Sequence, residues 1–158
     1  MKKTDWKTYA FWFLLSEAVG VLSGLLSRGG MQIYDATAIK PPFTPPMWVF
    51  PVVWSVLFAL MGIGAARIWL SEDSAARSRG LNLFVAQLIV NFCWSLIFFN
   101  LQAYGVALVW LILLFVLVAW MTLAFYQVDP TAAYLQIPYL IWLAFAGVLT
   151  AFVYVLNG

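Results

Sequence analysis

Apolar residues run along this chain in long blocks, and the polar residues that interrupt them fall into a few short clusters. Each block matches or exceeds the about 20 residues that a helix needs to cross the hydrocarbon of a bilayer. One helix per block predicts five spans, at 8–27, 46–70, 80–101, 104–127 and 131–156. No charged side chain occurs between Arg79 and Asp129, an interval too long for one crossing, so it must fold back on itself near 100–105. At the last connection Asp129 is placed to cap a helix that Pro130 starts, where a missing N–H costs nothing. The predicted architecture is all-α: one domain over 1–158, a bundle of five transmembrane helices.

The connection expected at 28–45 runs into a stretch with five prolines between Lys40 and Trp54. Proline fixes φ and removes a backbone donor, so this stretch predicts a long, stiff, non-helical loop between the first two helices, lidding a pocket. Thr44 is the expected N-cap of the second helix with Pro45 in its first position, and Trp48 and Trp54 are expected to point inward. Pro51 frees the carbonyl of Met47, which predicts a kink where loop and helix join.

Composition fixes the solvent. The chain has 158 residues, 65% of them hydrophobic and 9% charged, whereas soluble domains carry roughly 25% charged residues. The first apolar run follows Lys2 and Lys3 as in a signal peptide, but it continues past Ser27 with no Ala-x-Ala site, so it predicts a retained helix. Histidine is absent and Cys93 is the only cysteine. Serine–histidine and cysteine–histidine catalysis, an internal disulfide and the usual zinc sites are therefore excluded. No catalytic residue, metal, required cofactor or nucleic-acid partner is expected. Lys2, Lys3, Lys7, Arg67, Arg77 and Arg79 fall on one side of the predicted spans, and only Arg28 and Lys40 on the other. That asymmetry predicts a cytoplasmic N-terminus in a bacterial cell membrane.

Helical faces then separate candidates. Ser16, Gly20 and Gly24 recur at four-residue spacing, which suits either a homodimer seam or packing inside the bundle. Glu17, deep in the same helix, is expected to sit in a helix contact, a costly place for a carboxyl. On the second helix Phe50, Trp54, Leu57 and Met61 share a face. Gln87, Asn91, Trp94, Ser95 and Phe98 form a stripe on the third, whose amides and hydroxyl must face protein or a cavity. Trp110 and Trp120 in the fourth helix have the character of interfacial anchors. In the fifth, Pro138, Tyr139, Trp142, Phe145, Ala146 and Leu149 combine a helix breaker, a large ring and a small residue one turn on. That combination leaves a gap suited to a planar ligand.

These residues resemble the TspO/MBR family, the tryptophan-rich sensory proteins of bacteria and the translocator or peripheral benzodiazepine receptor proteins of mitochondria. The resemblance covers essentially the whole chain. Its carriers are Tyr34-Asp35, Lys40-Pro41, Pro45-Pro46, Trp48, Pro51 and Trp54, then Ala86-Gln87-Leu88, Asn91, Trp94-Ser95 and Phe98-Phe99, and finally Pro138-Tyr139, Trp142 and Phe145-Ala146. Ile33, Phe43 and Thr150 depart from the family's pattern. The resemblance implies five transmembrane helices, usually as a homodimer, with membrane lipid around them. It implies ligands such as protoporphyrin IX or haem and isoquinoline or benzodiazepine drugs. Cholesterol binds animal members, but the C-terminal Tyr154-Val-Leu-Asn-Gly lacks a basic residue and sterol binding is not expected here. Position by position, the implied pocket is Tyr34, Pro45, Phe50, Trp54, Asn91, Trp94, Ser95, Trp142, Ala146 and Leu149. Three functions follow as expectations: porphyrin binding in sensing, regulation or transport; light- and oxygen-dependent porphyrin degradation using the pocket tryptophans; or a membrane interaction scaffold.

Overall fold

A computed structural model of the chain describes residues 5–158, so Lys2 and Lys3 of the charge count lie outside it. It contains helix α1 (Asp5–Thr37), α2 (Val49–Trp69), α3 (Ala75–Ser95) continued by a π-helical turn (Leu96–Asn100), α4 (Tyr104–Val128), the short α5 (Pro130–Tyr134) and α6 (Ile137–Asn157). With α5 and α6 taken as one crossing, five helices are long and apolar enough to span a membrane. All-α architecture and five spans agree with the sequence.

The boundaries differ where leaving the membrane was equated with leaving the helix. α1 continues ten residues beyond Ser27, through Arg28, Gly29 and Gly30 to Thr37, so the irregular connection is only 38–48. Gly30 does not break the helix. It lets α1 approach the π turn, where an added Cβ would lie 2.5 Å from the Phe99 carbonyl oxygen. Thr44 caps nothing: its hydroxyl donates to the Pro41 carbonyl at 2.7 Å and closes a turn within the loop. α2 starts at Val49, and Pro51 therefore falls in its first turn, where backbone donors have no intrahelical partner anyway. The Met47 carbonyl accepts from the Phe50 N–H at 3.3 Å. Trp48 is 68% exposed rather than inward. Six residues at 100° each put Trp48 and Trp54 on different sides of a helix, so both cannot face the core.

At the opposite end, α3 begins at Ala75, five residues before the expected start, because the Ser74 hydroxyl accepts from the Arg77 N–H at 3.0 Å. The Arg77 guanidinium donates to the last carbonyls of α2, at Ile68 (3.2 Å) and Trp69 (2.8 Å), and lies over the Trp69 ring. Asp129 caps as expected, accepting from the Thr131 N–H at 3.1 Å, while its other oxygen takes the Arg67 Nε–H at 2.8 Å. The helix it starts stops at Tyr134, because the chain breaks ahead of Pro138, which sits in the first turn of α6. The buried Gln136 occupies the break and donates to the Ala132 carbonyl at 3.2 Å.

α1 and α2 are in backbone contact near one end and splay apart toward the other. A Cβ on Gly62 would meet the Phe13 Cα and the Trp12 carbonyl oxygen at 2.7 Å, and Gly20 lies against the Phe58 ring. Farther along, α1 leans on α3 instead. The Ser27 hydroxyl donates to Ser95 Oγ at 3.2 Å, Ser23 and Ser95 share a hydroxyl contact, and Asn100 Nδ2 donates to the Leu26 carbonyl at 2.9 Å. Ser16 and Gly20 thus face their own bundle, and Gly24 looks onto open space where the helices separate. The wedge left between α1 and α2 is what positions the site.

Candidate functional site

Two hollows adjoin at the wide end of this wedge. The larger, about 580 Å³, is walled by α1 from Glu17 to Met31, by α2 from Met47 to Phe58, and by Asn91, Ser95 and Phe99 of the third span. The smaller, about 20 Å³, lies deeper, between Tyr34, Trp54, Trp94, Phe98, Trp142, Ala146 and Leu149. Met47, Phe50, Trp54 and Phe99 belong to both and form the partition.

The third-helix stripe is buried along its whole length, as its polarity requires. Tyr139 Oη donates to Gln87 Oε1 at 2.8 Å and accepts from Asn91 Nδ2 at 2.6 Å, and Gln87 Nε2 points at the Met61 sulfur at 3.7 Å. This triad sews α3 to α6 beneath the cavity. The π turn follows it: the Leu101 N–H reaches the Leu96 carbonyl at 3.0 Å, and Phe98 and Phe99 both turn into the interior. Such turns concentrate at functional sites. There Phe98 stacks on Trp94, with ring centres 5.2 Å apart, and Tyr34 packs against Phe98 at 5.1 Å and Phe99 at 5.4 Å. The Lys40 ammonium covers the outer face of Tyr34 at 5.3 Å and is tied to the Asp35 carbonyl at 2.7 Å. Asn157, at the end of α6, clamps the start of the loop through both backbone groups of Ile39, at 2.9 and 2.8 Å.

Of the ten pocket positions implied by resemblance, seven line the small hollow: Tyr34, Phe50, Trp54, Trp94, Trp142, Ala146 and Leu149. Asn91 and Ser95 face the large cavity together with Phe50 and Trp54, and Pro45 lines neither. The gap anticipated beside Ala146 is nearly closed, because Phe50 packs edge-on against Trp142 with centroids 5.7 Å apart. A hollow of 20 Å³ admits one water-sized group and no ring. Glu17 lies on the cavity wall rather than in a helix contact. Trp110 is no anchor; its indole N–H donates to the Val90 carbonyl at 2.8 Å and couples α4 to α3.

The unpaired groups are the most informative feature. Trp94 Nε1 and Trp142 Nε1 are both buried without a hydrogen-bond partner, and both residues border the small hollow. A buried donor left unmatched costs about 1–3 kcal/mol. Two around one water-sized space describe a place for an acceptor oxygen. Sequence reasoning missed Met47, Phe58, Arg28 and Gly24 of the large cavity. Arg28 and Gly24 were findable, since Glu17, Gly24 and Arg28 fall on one side of α1 at spacings of seven and four.

Comparison with known proteins bears on this site. The model of the TspO/MBR family matches residues 12–156. The translocator protein of Bos taurus is 39% identical over 138 residues, covering 86% of this chain and 82% of its own length. A tryptophan-rich protein TspO of Chlorobaculum tepidum is 34% identical over 154 residues, covering 95% and 96%. The tryptophan-rich sensory protein of Cereibacter sphaeroides is 37% identical over 138 residues, covering 87% and 84%.

Proposed function

Because this chain belongs to the TspO/MBR family, we propose that this multi-pass integral membrane protein binds flat, hydrophobic ligands of the tetrapyrrole class, protoporphyrin IX foremost, in a sensing or transport role. The observation that carries the reading is the pair of unpartnered indole donors beside a cavity of ligand size. Pockets for drug-sized ligands measure about 300–1,000 Å³ and pair apolar walls with a few fixed polar groups. Here the macrocycle lies in the large cavity against Phe50 and Trp54, and a carboxylate oxygen passes the partition to accept from Trp94 and Trp142. Asn91 and Ser95 supply the polar floor. Histidine is absent, so haem gains no imidazole ligand, and the metal-free porphyrin serves at least as well.

Replacing Trp54 and Trp142 together by phenylalanine is expected to weaken protoporphyrin IX binding by about ten-fold, the size of one lost hydrogen bond plus reduced ring contact. The measurement is a titration of the porphyrin's absorbance shift in detergent. Equal affinity in the variant would remove this site from consideration.

The membrane arrangement that accompanies this reading puts the N-terminus in the cytoplasm and the 38–48 loop outside. Lys7, Arg67, Arg77 and Arg79 lie at one end of the bundle, with Arg28 and Lys40 toward the other. With Cys93→Ser as background, Lys40→Cys is expected to react with a membrane-impermeant maleimide in intact cells. Labelling only after lysis would reverse the topology.

A further inference from the structure

The large cavity opens sideways. Its rims are α1 and α2, and the rim residues Val21, Leu25 and Pro51 are exposed on membrane-spanning helices, so the mouth faces acyl chains rather than water. An apolar slot of about 580 Å³ in that position offers itself to amphiphiles of the bilayer. Its two ends are charged. Glu17 and Arg28 both line it, eleven residues apart on α1, which places them within about 20° of one helical face and about 16 Å apart along the axis. Neither has an ion-pair or hydrogen-bond partner among the described residues.

Depth gives the two charges different meanings. Arg28 follows the predicted span, at the level where a guanidinium meets head groups, whereas Glu17 stands near mid-span. A free guanidinium at the outer end matches a carboxylate in a bidentate pair, and a carboxyl at the inner end repels a second anion. We propose that the slot between α1 and α2 is a binding site for a single-chain carboxylate amphiphile, a long-chain fatty acid. The carboxylate sits on Arg28, the chain runs along Leu25, Val21 and Phe58, and the tail must be uncharged because it ends at Glu17. This site does not depend on tetrapyrrole binding. Where both ligands are present, the acid is the resting occupant that a flat ligand displaces.

The test uses the full-length protein in phosphatidylcholine nanodiscs with a brominated stearic acid, whose bromines quench Trp48 and Trp54 on the cavity wall. Wild type is expected to show a saturable component of quenching, competed by palmitic acid but not by methyl palmitate. Arg28 is exposed and unpartnered, so Arg28→Gln folds normally and is expected to raise the concentration for half-saturation about ten-fold. Gly24→Leu, which projects into open space, is expected to abolish the saturable component. Hexadecanedioic acid is expected to compete at least five-fold less well than palmitic acid in wild type and equally well in Glu17→Gln, a like-charge effect relieved. Quenching that never saturates, or saturates identically in Arg28→Gln, overturns the proposal. Equal competition by phosphatidylglycerol added to the discs also overturns it, by assigning the slot to phospholipid.

Discussion

Alanine at Gly62 is expected to destabilise the protein by about 1–3 kcal/mol, the usual cost of overpacking, although it adds a single methyl group. The reason is what the methyl would meet. Its Cβ would lie 2.7 Å from the Phe13 Cα and the Trp12 carbonyl oxygen, and backbone cannot swing aside as a side chain does. α1 must then move away from α2 at the one place where they touch most closely, and the wedge that forms the cavity hinges on that contact. Gly24, on the same pair of helices, supplies the control: nothing lies within 4 Å of its added Cβ. Gly24→Ala is therefore expected to be neutral or slightly stabilising, because alanine gains about 0.5–1 kcal/mol over glycine in a helix interior. Melting curves of the two variants in detergent, followed by circular dichroism, separate them. Equal midpoints would mean that the α1–α2 contact yields freely and does not set the cavity's width.

Much of this architecture was legible because burial in lipid imposes simple periodicities. Gln87, Asn91, Trp94, Ser95 and Phe98 could be assigned to one inward face from spacing alone, since amides and a hydroxyl have nowhere else to go in hydrocarbon. What spacing did not reveal was which partner each would choose: Asn91, expected at a ligand, gives its amide N–H to Tyr139. The end of α1 was misjudged for a different reason. Arg28, Gln32 and Asp35 mark the departure from the membrane, yet the helix continues, because its backbone hydrogen bonds are internal and need no lipid. The small-residue pattern of Ser16, Gly20 and Gly24 signals close approach without naming the neighbour, and here Ser16 and Gly20 turn to their own bundle. Pocket positions carried over by resemblance reached the right neighbourhood, but the split into a water-sized hollow and a wide cavity depends on how Phe50 packs on Trp142. No residue pattern encodes that.

Tyr139→Phe is expected to cost about 2 kcal/mol, and the cost arises from the atoms left behind rather than from the hydroxyl removed. The Tyr139 hydroxyl is donor to Gln87 Oε1 and acceptor for Asn91 Nδ2 at once, within a fully buried site between α3 and α6. Deleting it strands an acceptor and a donor, each with a desolvation penalty of about 1–3 kcal/mol that membrane proteins partly relieve by local repairing. If that account is right, Tyr139→Phe combined with Gln87→Leu and Asn91→Leu should recover much of the loss, since matched apolar groups leave nothing unpaired. Trp142→Phe gives the opposite sign. Its indole N–H has no partner to strand, so its removal should leave the melting temperature within a degree or two of wild type while weakening ligand binding. The two substitutions thus separate a polar group that holds the helices together from one held ready for a ligand. A large stability loss in Trp142→Phe, or none in Tyr139→Phe, would show that these roles are assigned the wrong way round.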